Sequence, residues 1–196
     1  MKIRNGFVSN SSSSSFVISF KGTMKNVIEN MIPILEQADL YNKDNRRYDE
    51  NLFILEKLFK RHYFDNLQSF KRTLYKKLQE EADSFEENER ENSRYHQQWK
   101  LMDPKSYEYS KNYYNLIKID IDKAVDHYCS TDEPIWEAEM YNALKNGDSA
   151  IMFELHHDGG WDVECNEEEN EFQRQLHNII PTDYSNGKNF HLKRVC

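Results

Sequence analysis

Apolar positions recur every three or four residues through the middle of the chain, while short β-rich runs stand towards its two ends. Near the start, Phe7-Val8 and Phe16-Val17-Ile18 with Phe20 flank Ser9, Asn10 and the unbroken serines Ser11 to Ser15. Phe16 to Phe20 predicts a strand entering a sheet. The serines have two readings: a flexible linker, because small polar side chains bury nothing, or a turn that brings the chain back against the body. Only ten residues precede the run, which argues against a linker.

The first helix is expected to start at Thr23 as N-cap and to carry Val27, Met31, Ile34 and Leu35 on one face. Pro33 falls inside that pattern and predicts a kink or a division. Tyr41 to Tyr48 is polar and reads as an exposed loop. Leu52, Leu55, Phe59 and Tyr63 form one stripe of a second helix, and Leu67, Phe70, Leu74, Leu78 and Phe85 one stripe of a third. Lys71, Arg72, Lys76 and Lys77 make the start of that third helix basic, and EEADSFEENERE, from Glu80 to Glu91, makes its end acidic. A charged helical arm over about residues 65–100 is the expectation, either merely solvated or reserved for a partner.

Asp103-Pro104 marks a break, and Tyr114, Ile117, Ile121, Val125 and Tyr128 then continue at helical spacing. Ser130 to Pro134 combines a capping residue, acids and a first-turn proline, so a helix with Ile135, Trp136, Met140, Ala143 and Leu144 inward should follow and end at Asn146-Gly147. Ala150 to Leu155 predicts a central strand, His156 to Gly160 a turn, and Trp161 to Cys165 a returning strand. Glu167 to Ile180 predicts a helix with Phe172, Leu176, Ile179 and Ile180 inward. Asn186-Gly187 is a turn signal before a last strand from Phe190 to Val195. The fold class expected is α+β: mostly helical, with a small, largely antiparallel sheet built from the N-terminal strand and the C-terminal strands. One domain spanning 1–196 is the default for this length.

Composition narrows the function classes. Charged residues make up 31% of the chain and aromatic ones 13%, so the surface is highly charged and rings must fill much of the core. The net charge of −8 opposes broad adsorption to nucleic acid or anionic lipid and favours basic protein partners. No apolar run has the length of a membrane span, and no continuous apolar region follows Lys2 and Arg4 as a secretory signal requires. Cys129, Cys165 and Cys196 are widely spaced without a CxxC pair, which fits unpaired thiols in a reducing cytoplasm.

Candidate chemistry is sparse. Glu154, His156, His157, Asp158, Asp162 and Glu164 form the densest group, yet successive strand residues face opposite ways, so His156 and His157 cannot converge on one site. HExxH, EF-hand and phosphate-loop motifs are absent, and the serine run lacks a GxSxG elbow. No catalytic residue, metal ligand or cofactor is therefore assigned, with a metal-dependent enzyme on these carboxylates or a virion protein as the alternatives. Acids without Lys or Arg surround Trp161 from Glu154 to Glu171, and there Trp161 is either core or an exposed anchor. Glu154, Asp158, Trp161, Asp162 and Glu164 are the candidate partner-binding residues, since charge steers encounter and a buried ring anchors it.

RNGFVSNSSSSSFVI, from Arg4 to Ile18, resembles an amino-terminal signature of proteins encoded by phages of Gram-positive bacteria. Length, acidity and composition further resemble the staphylococcal Twort-like phage proteins that bind the primary σ factor of host RNA polymerase. That resemblance implies a cytoplasmic host-transcription inhibitor whose partner is σ region 4, the basic helix-turn-helix domain that reads promoter DNA. It also implies selective repression of promoters, such as those for ribosomal RNA, that need upstream contacts by the carboxy-terminal domains of the polymerase α chains. None of that family's contact residues can be matched position by position.

Overall fold

The computed structural model describes residues 13–37, 40, 47–130, 136–156 and 167–195. In chain order the elements are β1 (Ser13–Phe20), α1 (Met24–Glu36), α2 (Arg47–Lys60), β2 (Tyr63–Phe64), α3 (Leu67–Arg90), α4 (Arg94–Met102), α5 (Pro104–Ile119), α6 (Ile121–Cys129), α7 (Trp136–Lys145), β3 (Ser149–His156), α8 (Glu167–Ile179), β4 (Asp183–Ser185) and β5 (Phe190–Arg194). The architecture is α+β and mostly helical, with eight helices among the described residues and one five-stranded antiparallel sheet. Two compact units divide the chain. One holds the described residues between 13 and 67 and between 136 and 195, the other those between 68 and 130.

The first unit is the sheet with its covering helices. Strand order is β2-β3-β1-β5-β4, so β1 is central, paired with β3 on one side and β5 on the other. Phe16, Ile18 and Phe20 from β1, Ile151, Phe153 and Leu155 from β3, and Phe190 and Leu192 from β5 point to one face and pack with Val27, Met31, Ile34 and Leu35 of α1, Leu55, Leu58 and Phe59 of α2, and Phe172 and Leu176 of α8. The alternate positions face α7, whose Glu139 pairs with Lys193 of β5. Period-two alternation thus sorts one strand between two helical covers.

The structure revises several expectations. Part of the serine run belongs to the sheet: β1 begins at Ser13, with Ser14 and Ser15 buried. β3 pairs with Ser13 to Ser15, Val195 N–H donates to Ser15 O at 2.9 Å, and Ser14 Oγ lies 2.9 Å from His177 Nε2. Pro33 does not divide α1, which runs unbroken from Met24 to Glu36. It sits on the exposed side, where water can take the Glu29 carbonyl that loses its donor, while Val27, Met31 and Leu35 hold the buried face. Tyr63 is not part of the second helix. It pairs with Ile151 in β2, and Leu58 fills the buried stripe in its place. β4 is an element beyond those the sequence predicts; it forms a hairpin with β5 through the Asn186-Gly187 turn, where Gly187 has φ +65°. The loop at 41–46, the capping segment at 131–135, and the turn and returning strand at 157–165 lie outside the described residues.

The second unit is helical. α3 buries Phe70, Leu74, Leu78, Ala82 and Phe85 and continues through the acidic segment. Asn92 at φ +53° ends it, with Ser93 N–H bonded to Asn88 O and Asn92 N–H to Glu89 O, the paired bonds of a left-handed C-terminal cap. Ser93 then caps α4, and Asp103 followed by Pro104 opens α5. The helix expected from Tyr114 to Tyr128 is interrupted at Asp120. Its carboxylate accepts from Lys123 N–H at 3.1 Å and caps α6, a local bond that competes with continuation of the helix.

Candidate functional site

Glu154 is the one sequence-selected partner residue among the described residues. It stands on β3, half-buried, on the face opposite the main core, and accepts a hydrogen bond from Ser15 Oγ at 3.1 Å. Asp158, Trp161, Asp162 and Glu164, with His157, lie outside the described residues. One oxygen of the Glu154 carboxylate is thus engaged within the sheet. Among the described residues, no three His, Cys, Asp or Glu side chains gather as a metal site would require.

The helical unit offers a different surface. On α3 the exposed acids Glu80, Asp83 and Glu87, extended by Glu91 in the following turn, fall on one stripe, because residues three and four apart share a helix face. Asp83, Glu87 and Glu91 have no basic partner among the described residues, whereas Glu86 is paired with Lys118 and Glu89 with Lys111 at 2.7 Å. Glu80 reaches Lys76 at 3.7 Å across exposed side chains, a pair too wet and loose to neutralise it.

Beside that stripe lies a cleft of about 480 Å³ whose lining includes Glu80, Glu81, Phe85, Tyr95, His96, Trp99 and Tyr114. Its size is that of an ordinary ligand or side-chain pocket. Phe85 is the hub of the rings, with centroids 4.7 Å from Tyr114, 4.8 Å from His96 and 6.1 Å from Trp99. Trp99 meets Tyr107 edge-on at 5.3 Å, and Tyr107 donates to Glu89 at 3.1 Å. Tyr95, at 56% exposure, leaves its ring open at the rim.

Two polar groups in this wall lack partners. His96 Nε2 and Trp99 Nε1 are buried with no hydrogen bond among the described residues, and the two residues are 7% and 8% exposed. Burial holds His96 below the ordinary histidine range, against the opposing pull of Glu89, so its ring is neutral at pH 7. The hydrogen bond from Lys111 holds Glu89 below the usual carboxylate range. Burial raises the Tyr114 hydroxyl, and the charge of Glu81 adds to the rise. The cleft is thus aromatic within, and Glu80 and Glu81 outnumber Lys77 in its lining.

The sequence carried a partial signal for this surface. Phe85, Tyr95 and Trp99 are the apolar exceptions in a strongly charged stretch, but their convergence depends on the turn at Asn92, which sequence periodicity does not register. No known protein family, characterised protein or solved structure compared with this chain matches it. No described helix is long and apolar enough to cross a membrane.

Proposed function

We propose that this chain is a phage-encoded modulator of host transcription that binds region 4 of the primary σ factor within RNA polymerase holoenzyme. The observation that carries the reading is the exposed acidic stripe of Glu80, Asp83, Glu87 and Glu91, set beside an open aromatic rim on a chain of net charge −8. A basic DNA-reading domain is the complement of such a surface: opposite potentials steer the encounter, and a ring near the centre supplies the anchor. The amino-terminal likeness to phage proteins supports the same direction.

In this reading the protein acts by occupancy, without covalent chemistry or a cofactor. It stays on the holoenzyme and represses promoters, such as those of ribosomal RNA, whose activity depends on upstream contacts by the carboxy-terminal domains of the α chains. Affinity capture from host lysate on the tagged full chain, followed by titration of purified region 4, tests it. Recovery of polymerase together with direct, saturable binding to region 4 is the expected result. Failure of region 4 to bind overturns the reading.

A further inference from the structure

We infer that the cleft between α3 and α4 is the docking site for a cationic side chain, an arginine carried on a helix of a basic protein partner. This rests on the partner class proposed above and names the surface and the chemistry within it.

Three observations converge on that occupant. The first is charge: Glu80 and Glu81 outnumber Lys77 in the cleft lining, and the exposed acids Asp83, Glu87 and Glu91 continue along the same helix and the turn after it, so the balance at the entrance favours cations over phosphate. The second is the lining. Tyr95, Trp99, Phe85 and Tyr114 offer aromatic surface, to which a flat guanidinium binds by stacking and by cation–π attraction while its N–H groups reach carboxylates. The third is independent of charge. The two orphaned ring nitrogens, on His96 and Trp99, belong to residues of the cleft wall. A buried donor or acceptor without a partner costs about 1–3 kcal/mol, and native proteins rarely keep one without a use for it.

The donor inventory fits the occupant. Neutral His96 can present Nε2 as an acceptor to a guanidinium N–H, and Trp99 Nε1–H can donate to a carbonyl that arrives with the partner's backbone. Both nitrogens are closed to water in the free protein, so an occupant that reaches them must shift the Trp99 or His96 ring. The Trp99 indole N–H is consequently the reporter of occupancy. Along α3 the lining runs from Lys77 to Asn88, about three turns, a length that matches a helix laid against it rather than a single small molecule.

The experiment follows the indole N–H resonances of the isotopically labelled full chain during titration with purified σ region 4. Trp99→Phe assigns the resonance, and the Glu80→Lys/Ser84→Lys variant, altered at exposed positions, reverses the charge of the rim. Movement of the Trp99 signal, with affinity lowered about tenfold or more in the rim variant, supports the inference. Binding of region 4 with an unmoved Trp99 signal and unchanged affinity in the rim variant overturns the cleft and leaves the σ reading standing. If region 4 does not bind, the σ reading falls, and an arginine-bearing amphipathic helical peptide becomes the probe. A Trp99 shift with that peptide, lost in the rim variant, supports the cleft, and no shift overturns it. Circular dichroism of each variant confirms that it is folded.

Discussion

Ser15 Oγ donates to Glu154 Oε1 at 3.1 Å from the directly opposite position on the neighbouring strand. The pair joins the end of the serine run to a residue that, in sequence, belongs with the acidic segment from Glu154 to Glu164. Ser15 is 3% exposed, so its hydroxyl has little access to water and the carboxylate is its natural partner. Ser15→Ala should destabilise the sheet unit by about 1–2 kcal/mol, because Glu154 would lose a donor that water cannot fully replace. Urea unfolding of Ser15→Ala beside Ser15→Thr measures it. Equal midpoints for wild type and Ser15→Ala would show that the bond contributes nothing.

The turn between β1 and α1 rests on Gly22, which has φ +115°. A Cβ at that position would come within 2.6 Å of Asn26 Oδ1, the atom that accepts from Thr23 N–H at 2.8 Å and caps the helix. Gly22→Ala therefore combines backbone strain with loss of the cap. A cost of roughly 2 kcal/mol or more is expected. Thermal unfolding of Gly22→Ala should show a lower midpoint than that of Lys21→Ala, a neighbouring substitution that leaves the φ requirement untouched.

How far the sequence could be read depended on the range of the interactions that decide each element. Val27, Met31 and Leu35, or Phe70, Leu74 and Leu78, carry their period within a few turns, so those helices were legible. The β1 serines were not, since Ser14 and Ser15 become strand only through partners more than a hundred residues away. Pro33 fails to divide α1 for a related reason: the propensity cost is local, while the packing of Met31 and Leu35 that overrides it is tertiary. Glu154 was legible as an acid but not as a partner of Ser15. The cleft escaped because Phe85 and Trp99 meet only through the left-handed turn at Asn92.

His96 gives the helical unit a pH dependence whose sign can be worked out. Burial lowers its folded pKa below the ordinary value near 6.5, to which an unfolded chain returns. Below about pH 6.5 the unfolded state thus binds more protons than the folded one, and stability falls as the pH drops towards the folded pKa. Glu89, held down by Lys111, acts in the same direction at lower pH: its contribution is present above the unfolded carboxylate pKa and is lost as the pH falls through the folded one. His96→Phe should remove the first component and leave the second. Melting temperatures between about pH 7.5 and 5.5 should decline less in the variant than in wild type. A parallel decline in both would sink the assignment to His96.

Two acidic stretches compete for the role of steering a basic partner, and charge reversal separates them. Asp83, Glu87 and Glu91 are exposed and without basic partners among the described residues, so they project potential into solvent. Asp158, Asp162 and Glu164 form the second set, which the sequence alone favours through its nearness to Trp161. Rim charges act chiefly on the association rate and its salt dependence, and less on dissociation. Reversing Asp83, Glu87 and Glu91 to Lys should slow association with σ region 4 about tenfold at low salt and flatten its dependence on ionic strength. Reversing Asp158, Asp162 and Glu164 should leave the rate within about twofold if the α3 stripe alone steers the encounter. Stopped-flow association across a salt series measures both variants. The opposite ranking would move the docking surface from α3 to the 158–164 segment, and Trp161 rather than Trp99 would then be the ring to follow.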